Sequence, residues 1–198
     1  MRSLAAPPRR PGTILQRVMT TIPHIDLKSL IRDVADFPQP GVLFRDITPL
    51  LQDATAYRYV IDELTRLVGA LEPEAVVGIE SRGFLFGAPV AYRLGLPFVP
   101  VRKAGKLPHE RMSVEFSLEY GTSQLDIHAD ALDRDQQVVI VDDLLATGGT
   151  AAAAAKLVEL LGARVRACAF LVELAFLGGR ERLQDYEVLA LVRYDDPA

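Results

Sequence analysis

The chain is poor in the residues that build disulfides and metal centres: it has one cysteine, Cys168, and three histidines, His24, His109 and His128, in 198 residues. A lone thiol closes no internal disulfide, and the histidines stand too far apart for metal-ligand spacing. Cys168 falls in the apolar run Ala167–Leu174 and is expected in the core. Long apolar runs are missing as well, and none approaches the roughly 20 residues of a membrane-spanning helix. Positive charge is not in excess, because 22 Lys and Arg face 26 Asp and Glu for a net −4. General attraction to nucleic acid or to an anionic membrane is therefore not expected, and a polyanionic substrate has to be held by a local basic cluster. Two common phosphate signatures are also absent. A Walker loop needs Lys before its Ser or Thr, but Gly149 precedes Thr150, and no G-x-G-x-x-G opens a helix.

What is present, 49% hydrophobic and 24% charged residues, suits one α/β domain with a substantial core, expected in the cytoplasm. Residues 1–21 stand apart. They carry Arg2, Arg9, Arg10 and Arg17, and no acid occurs before Asp26. No apolar segment follows the arginines as in a secretory signal. A disordered extension ahead of a single domain over 22–198 is the expectation, with an organelle transit peptide or a start at Met19 as alternatives.

The densest information lies in Val138–Thr150, VVIVDDLLATGGT. Val138–Val141 reads as a parallel strand covered on both faces, with Asp142 and Asp143 at its carboxyl end, where open α/β sheets bind ligands. Ala146, Thr147, Gly148, Gly149 and Thr150 are small enough to close backbone N–H groups on a phosphate. Ala151–Leu161 is a helix that aims its positive end at the same anion. A bland turn, in which the acids only cap backbone, is the competing explanation.

Periodicity supplies the frame. Leu27, Leu30, Ile31 and Val34 predict a short amphipathic helix, and Asp36–Pro49 an irregular apolar loop. Tyr57–Val68 predicts a long helix, Ala75–Ile79 a buried strand, and Phe84–Leu94 a helix kinked or begun at Pro89. Pro97–Arg102 is the next strand, Val114–Tyr120 and Gln124–Ile127 form a hairpin around Gly121-Thr122, and Arg164–Leu174 and Glu187–Val192 close the sheet. This alternation predicts a doubly wound, mainly parallel sheet with an antiparallel hairpin excursion. Three loops then meet at one edge: Glu80–Gly83, Arg102–Lys106 and Asp142–Thr150. Arg82, Arg102, Lys103 and Lys106 are cations for a pyrophosphate, unless they are ordinary solvated charges.

Six segments in order, DFPQPGVLFRDITPLL, ESRGFLFG, VRKAGKLP, SLEYG, VVIVDDLLATGGT and LVEL, resemble the type I phosphoribosyltransferases from about Asp36 to Leu174, and within them the branch that uses adenine. Glu80, where some members carry Asp, is the departure inside a motif. The resemblance implies a fold with a small N-terminal hood and a flexible hairpin arm. It also implies transfer of ribose 5-phosphate from phosphoribosyl diphosphate to adenine, giving AMP and pyrophosphate, with Mg²⁺ bound mainly through the phosphoribosyl diphosphate and no metal ligand from the protein.

By the same resemblance, Asp142 and Asp143 hold the ribose hydroxyls, Ala146–Thr150 the 5-phosphate, and Ser81, Arg82 and Gly83 with Arg102, Lys103 and Lys106 the pyrophosphate. A cis Glu80–Ser81 bond is part of that pattern. Adenine lies on Phe44, among Leu43, Phe44 and Arg45, with Leu174 opposite; core packing is the alternative for Phe44. Glu119 handles the purine proton, unless it is a solvated strand residue. A homodimer is expected. A transferase for another purine, a non-catalytic sensor of phosphoribosyl diphosphate and an inactive relative are the rival readings.

Overall fold

The computed structural model describes residues 25–118 and 121–197. The extension assigned to residues 1–21 lies outside them, as do His24 and Glu119.

The chain first makes one 3₁₀ turn, Leu27–Leu30, and then strand β1, Arg32–Ala35, paired antiparallel with β2, Leu43–Asp46. The helix expected over Leu27–Val34 is thus limited to that turn, and the loop expected over Asp36–Pro49 contains a strand. The turn chemistry overrides the helical spacing. Asp36 sits at φ 57, its carboxylate accepts from Gly41 N (2.7 Å), and Phe37 N donates to Val42 O (3.2 Å), so the chain reverses and the flanks pair. Asp46 then accepts from both Thr48 N (2.9 Å) and Thr48 Oγ1 (2.6 Å), a local side-chain turn just ahead of α1, Thr48–Gln52.

Helix α2, Ala54–Gly69, begins at Asp53, whose carboxylate accepts from Thr55 N and Ala56 N. Ala56, Val60, Ile61, Leu64 and Val68 bury one face of it. Strand β3, Ala75–Ile79, is buried at every position, and α3, Gly83–Leu94, follows. Pro89 lies inside α3 rather than at its start, and its missing N–H would orphan the Leu85 carbonyl. Tyr57 Oη on α2 donates to that oxygen at 2.5 Å and satisfies it.

Strand β4, Phe98–Lys103, leads to the hairpin β5, Arg111–Leu118, and β6, Gly121–His128. The hairpin is joined to the main sheet, because β6 pairs with β4 at Arg102 and Lys103. Strand β7, Gln137–Leu145, helix α4, Gly149–Leu160, and strands β8, Arg164–Leu174, and β9, Glu187–Tyr194, complete the domain.

The seven-stranded sheet has the order β5-β6-β4-β3-β7-β8-β9. Strands β4, β3, β7, β8 and β9 are parallel. Strand order reverses between β3 and β7, which makes their carboxyl ends the topological switch point. One core cluster joins α2 and α3 to one face through Leu64, Phe86 and Val141, and the other joins α4 through Leu157, Ile140 and Phe170. Cys168 lies in the second, fully buried.

Candidate active site

At the switch point lies a cavity of about 470 Å³, within the range of small-molecule sites. Its wall is made by Glu80, Ser81 and Arg82 after β3, Lys103 at the end of β4, Asp142–Thr150 from β7 into α4, and Phe116, Ser123 and Leu125 of the hairpin. Strand β7 runs on to Leu145, so the two acids sit within the strand rather than beyond it. Both acids nevertheless line the cavity at the strand end.

Asp142 and Asp143 are tied to each other, since Asp143 N donates to Asp142 Oδ1 (2.9 Å). Asp143 also meets Arg82, with Nε 2.7 Å from Oδ2. Burial, and then the adjacent Asp143 charge, push the Asp142 carboxyl well above the usual carboxylate range. Burial raises Asp143 as well, against the opposing pull of Arg82. Two acids and one cation therefore compete for charge in one small volume.

The loop after β7 is preorganised for an anion. Gly148 takes φ 79 as the N-cap of α4, a conformation that favours glycine. Helix α4 is twelve residues long, and its first N–H groups have no intrahelical acceptor, so they face the loop with the positive end of the helix dipole. Thr147 and Thr150 add hydroxyls to the same wall.

Other residues singled out in the sequence occupy different places. Gly83 is buried beneath Asp142 and does not line the cavity; a Cβ there would lie 2.8 Å from Asp142 Oδ1 and from Val141 O. Its smallness lets α3 approach β7. Arg102 turns to Glu80, with Nε to Oε2 at 3.1 Å, and to Lys106 O at 3.3 Å, so only Lys103 of the three basic-loop cations reaches the cavity wall. Burial raises the Glu80 carboxyl, but the Arg102 and Lys103 hydrogen bonds outweigh it and leave the group below its usual range. The Glu80–Ser81 peptide is cis.

Phe44 does not line the cavity and meets it only through Arg82, whose guanidinium is 5.7 Å from the ring centroid; the exposed Phe37 lies edge-on at 5.1 Å. Leu43 pairs with Ala35 in the hood, and Leu174, at the end of β8, is buried in the core cluster that includes α2 and α3. The Arg45 side chain is buried away from the cavity, held by Asp33 and Pro197 O and stacked 4.1 Å from the Tyr194 ring centroid.

Sequence reasoning missed Asp126 and Glu173. Asp126 on β6 is fully buried and accepts from Ser113 Oγ (2.8 Å), Gln124 Nε2 (2.7 Å) and Gly105 N (3.2 Å), with Arg111 at 3.2 Å. It fastens the basic loop to the hairpin. The alternation set by Leu125 and Ile127, both in the core, places Asp126 on the opposite face, so no local pattern marked it as buried.

The chain matches the family model described as "Phosphoribosyl transferase domain" over residues 50–191. It is 57% identical over 171 residues to the adenine phosphoribosyltransferase of a Synechococcus strain, covering 86% of this chain and 100% of that one. The crystal structure of adenine phosphoribosyltransferase from Thermoanaerobacter pseudethanolicus superposes with a TM-score of 0.83 at 54% identity, over 85% of this chain and 98% of that one. The Saccharomyces cerevisiae enzyme, solved with an imino-altritol bisphosphate and adenine, gives 0.80 at 42% identity, over 83% and 96%.

Proposed function

The chain belongs to the phosphoribosyl transferase family and, as an adenine-using pentosyltransferase of purine salvage, converts adenine and phosphoribosyl diphosphate to AMP and pyrophosphate; on that premise we propose how its residues divide the work. The observation that carries the assignment is the switch-point cavity, which sets Asp142 and Asp143 between the anion-binding loop and Arg82. Ala146–Thr150 hold the 5-phosphate through backbone N–H groups and the α4 terminus. Asp142 and Asp143 hold the ribose hydroxyls. Ser81, Arg82 and Lys103 receive the pyrophosphate, with Arg82 leaving Asp143 to grip phosphate oxygens.

Adenine stacks on Phe44, with backbone groups of Leu43–Arg45 reading its edge and Leu174 closing the far side. A fixed carbonyl accepts from the exocyclic amine, whereas a 6-oxo purine would set two acceptors against each other. In the transfer, N9 attacks C1′ as the C1′–O bond breaks, and pyrophosphate leaves with the bond's electron pair. The ribose passes through an oxocarbenium-like state whose positive charge the Asp142–Asp143 pair stabilises. Glu119 takes the purine proton, at N7 or N9.

Mg²⁺ fits the donor set when it arrives on the substrate. Among the described residues no group of three or more His, Cys, Asp and Glu side chains is placed to hold a metal, and the carboxylates of Asp142 and Asp143 line the cavity. Asp142 and Asp143 would hold the hydroxyls that share the ion, which would neutralise charge on the leaving pyrophosphate. Lys106 stands outside the cavity wall, on a loop that turns at Gly105; we propose a homodimer in which that loop reaches the partner's site. We assign residues 22–198 to one domain working in the cytoplasm.

The test is direct. With Mg²⁺, phosphoribosyl diphosphate and each purine offered separately, adenine gives AMP; IMP or GMP formed faster than AMP overturns the base assignment. Sedimentation showing a monomer at assay concentration removes the shared-site dimer.

A further inference from the structure

The anion-binding loop is braced from outside the cavity by a segment none of the motifs includes. Strand β8 ends at Leu174, and the chain passes through the 3₁₀ turn Ala175–Leu177 and Gly178 (φ 68) into the 3₁₀ turn Gly179–Leu183. That passage lays the Gly179 backbone directly on the loop. A Cβ at Gly148 would lie 2.5 Å from Gly179 O, and a Cβ at Gly179 would overlap Ala146 O and sit 2.9 Å from Leu145 Cδ1. Neither surface has room for a methyl group, so the loop and the turn are fitted backbone to backbone.

The next residue locks the turn down. Arg180 makes a bidentate pair with Glu173, Nε to Oε1 at 2.6 Å and Nη2 to Oε2 at 2.8 Å, and its Nη1 donates to Val188 O at 3.1 Å. Glu173 is 2% exposed, and its β7 partner in register is Leu145, the residue before the loop. The pair therefore ties the turn to the strand that flanks the foot of the loop. A two-pronged Arg–carboxylate contact fixes orientation as well as distance.

We propose that Gly179 and Arg180 are positioning residues for the donor's 5-phosphate: Arg180, anchored on Glu173, presses Gly179 against Ala146–Gly148 and holds the loop amides in their anion-binding arrangement. This rests on the reading that Ala146–Thr150 bind that phosphate. It assigns the turn to recognition of the sugar phosphate, leaving the base to the hood. Misplacing a positioning element by about 1 Å can cost on the order of 100-fold in rate, so a small shift of this backing is kinetically visible.

The experiment compares Gly179→Ala, Arg180→Met, Arg180→Lys and Thr150→Ala in the full chain. Each is measured for KM of both substrates, for kcat, for binding of ribose 5-phosphate and for melting temperature. Gly179→Ala and Arg180→Met are expected to raise KM for phosphoribosyl diphosphate by about tenfold or more and to weaken ribose 5-phosphate, with KM for adenine within about twofold. Arg180→Lys is expected to recover part of the loss, since it keeps the charge but not the fork. Equal losses toward both substrates that track melting temperature would overturn the proposal. So would an unchanged KM for phosphoribosyl diphosphate in the Gly179 and Arg180 variants while Thr150→Ala raises it. If Thr150→Ala also leaves that KM unchanged, the assignment of the loop itself fails. Should Gly179→Ala not fold, the Met and Lys pair decides.

Discussion

Arg82 Nε lies 2.7 Å from Asp143 Oδ2. The cation assigned to the pyrophosphate and an acid assigned to the ribose thus hold each other across the cavity. On the proposed assignment, donor binding would be an exchange in which phosphate oxygens replace the carboxylate on Arg82 and ribose hydroxyls replace the guanidinium on Asp143. The ion pair orients both groups, and Arg82 is half exposed.

On the proposed assignment, replacing either partner would remove charge aimed at the transition state. Arg82→Ala and Asp143→Asn are each expected to lower kcat by about tenfold or more with an unchanged circular dichroism spectrum. Their combination is expected to cost less than the product of the single losses, because the two groups act on each other. Near-normal kinetics in either single variant would remove that residue from the site.

Asp142→Asn separates stability from function. A carboxyl raised above its ordinary value of 3.8 binds its proton more tightly in the folded state. Its contribution is therefore most favourable below the unfolded pKa and is lost as pH rises through the folded one. Asn carries no charge to bury. The variant is expected to melt higher than the parent at pH 7.5, with the gap closing toward pH 4, while its activity falls at least about tenfold. A lower melting temperature at pH 7.5 would contradict the charge strain in the acid pair.

Phe44→Ala tests base stacking. Loss of an aromatic platform for a base is worth ~1–3 kcal/mol, so KM for adenine is expected to rise about tenfold or more, with KM for phosphoribosyl diphosphate little changed. Unaltered adenine kinetics would return Phe44 to a packing role beside Phe37.

Glu119→Gln keeps the shape of the side chain and removes its basicity. A fall in kcat with adenine binding retained is the expected result, and a rise in KM at constant kcat would argue against proton transfer.

Cys168 offers a probe of folding. Burial pushes its thiol up to about 12, so the native protein is expected to be inert to a disulfide reagent at pH 8 and to react fully once unfolded in denaturant. Rapid labelling of the native protein would mean that β8 opens far more readily than its burial allows.

Much of the fold was legible because buried parallel strands announce themselves. Ala75–Ile79 and Arg164–Leu174 coincide with β3 and β8, and the Tyr57–Val68 periodicity lies within α2. The hood was not, because Leu27–Val34 has helical spacing and only the Asp36–Gly41 turn makes it pair as a strand. In the site, VVIVDDLLATGGT declared an acid pair and an anion loop through local chemistry. Nothing local showed that Arg102 is taken by Glu80, that Arg82 reaches Asp143, or that the Arg45 side chain faces Tyr194.

Which chemistry the chain carries is written in local sequence, since the turn residues, acids and buried strand of Val138–Thr150 act within a few residues of one another. Tertiary structure decided which charges are available for it. Partners such as Arg82 and Asp143, or Arg180 and Glu173, are chosen by strand order and by how closely backbones approach at Gly83, Gly148 and Gly179. Those distances arise from packing the whole sheet, and no short stretch of sequence contains them.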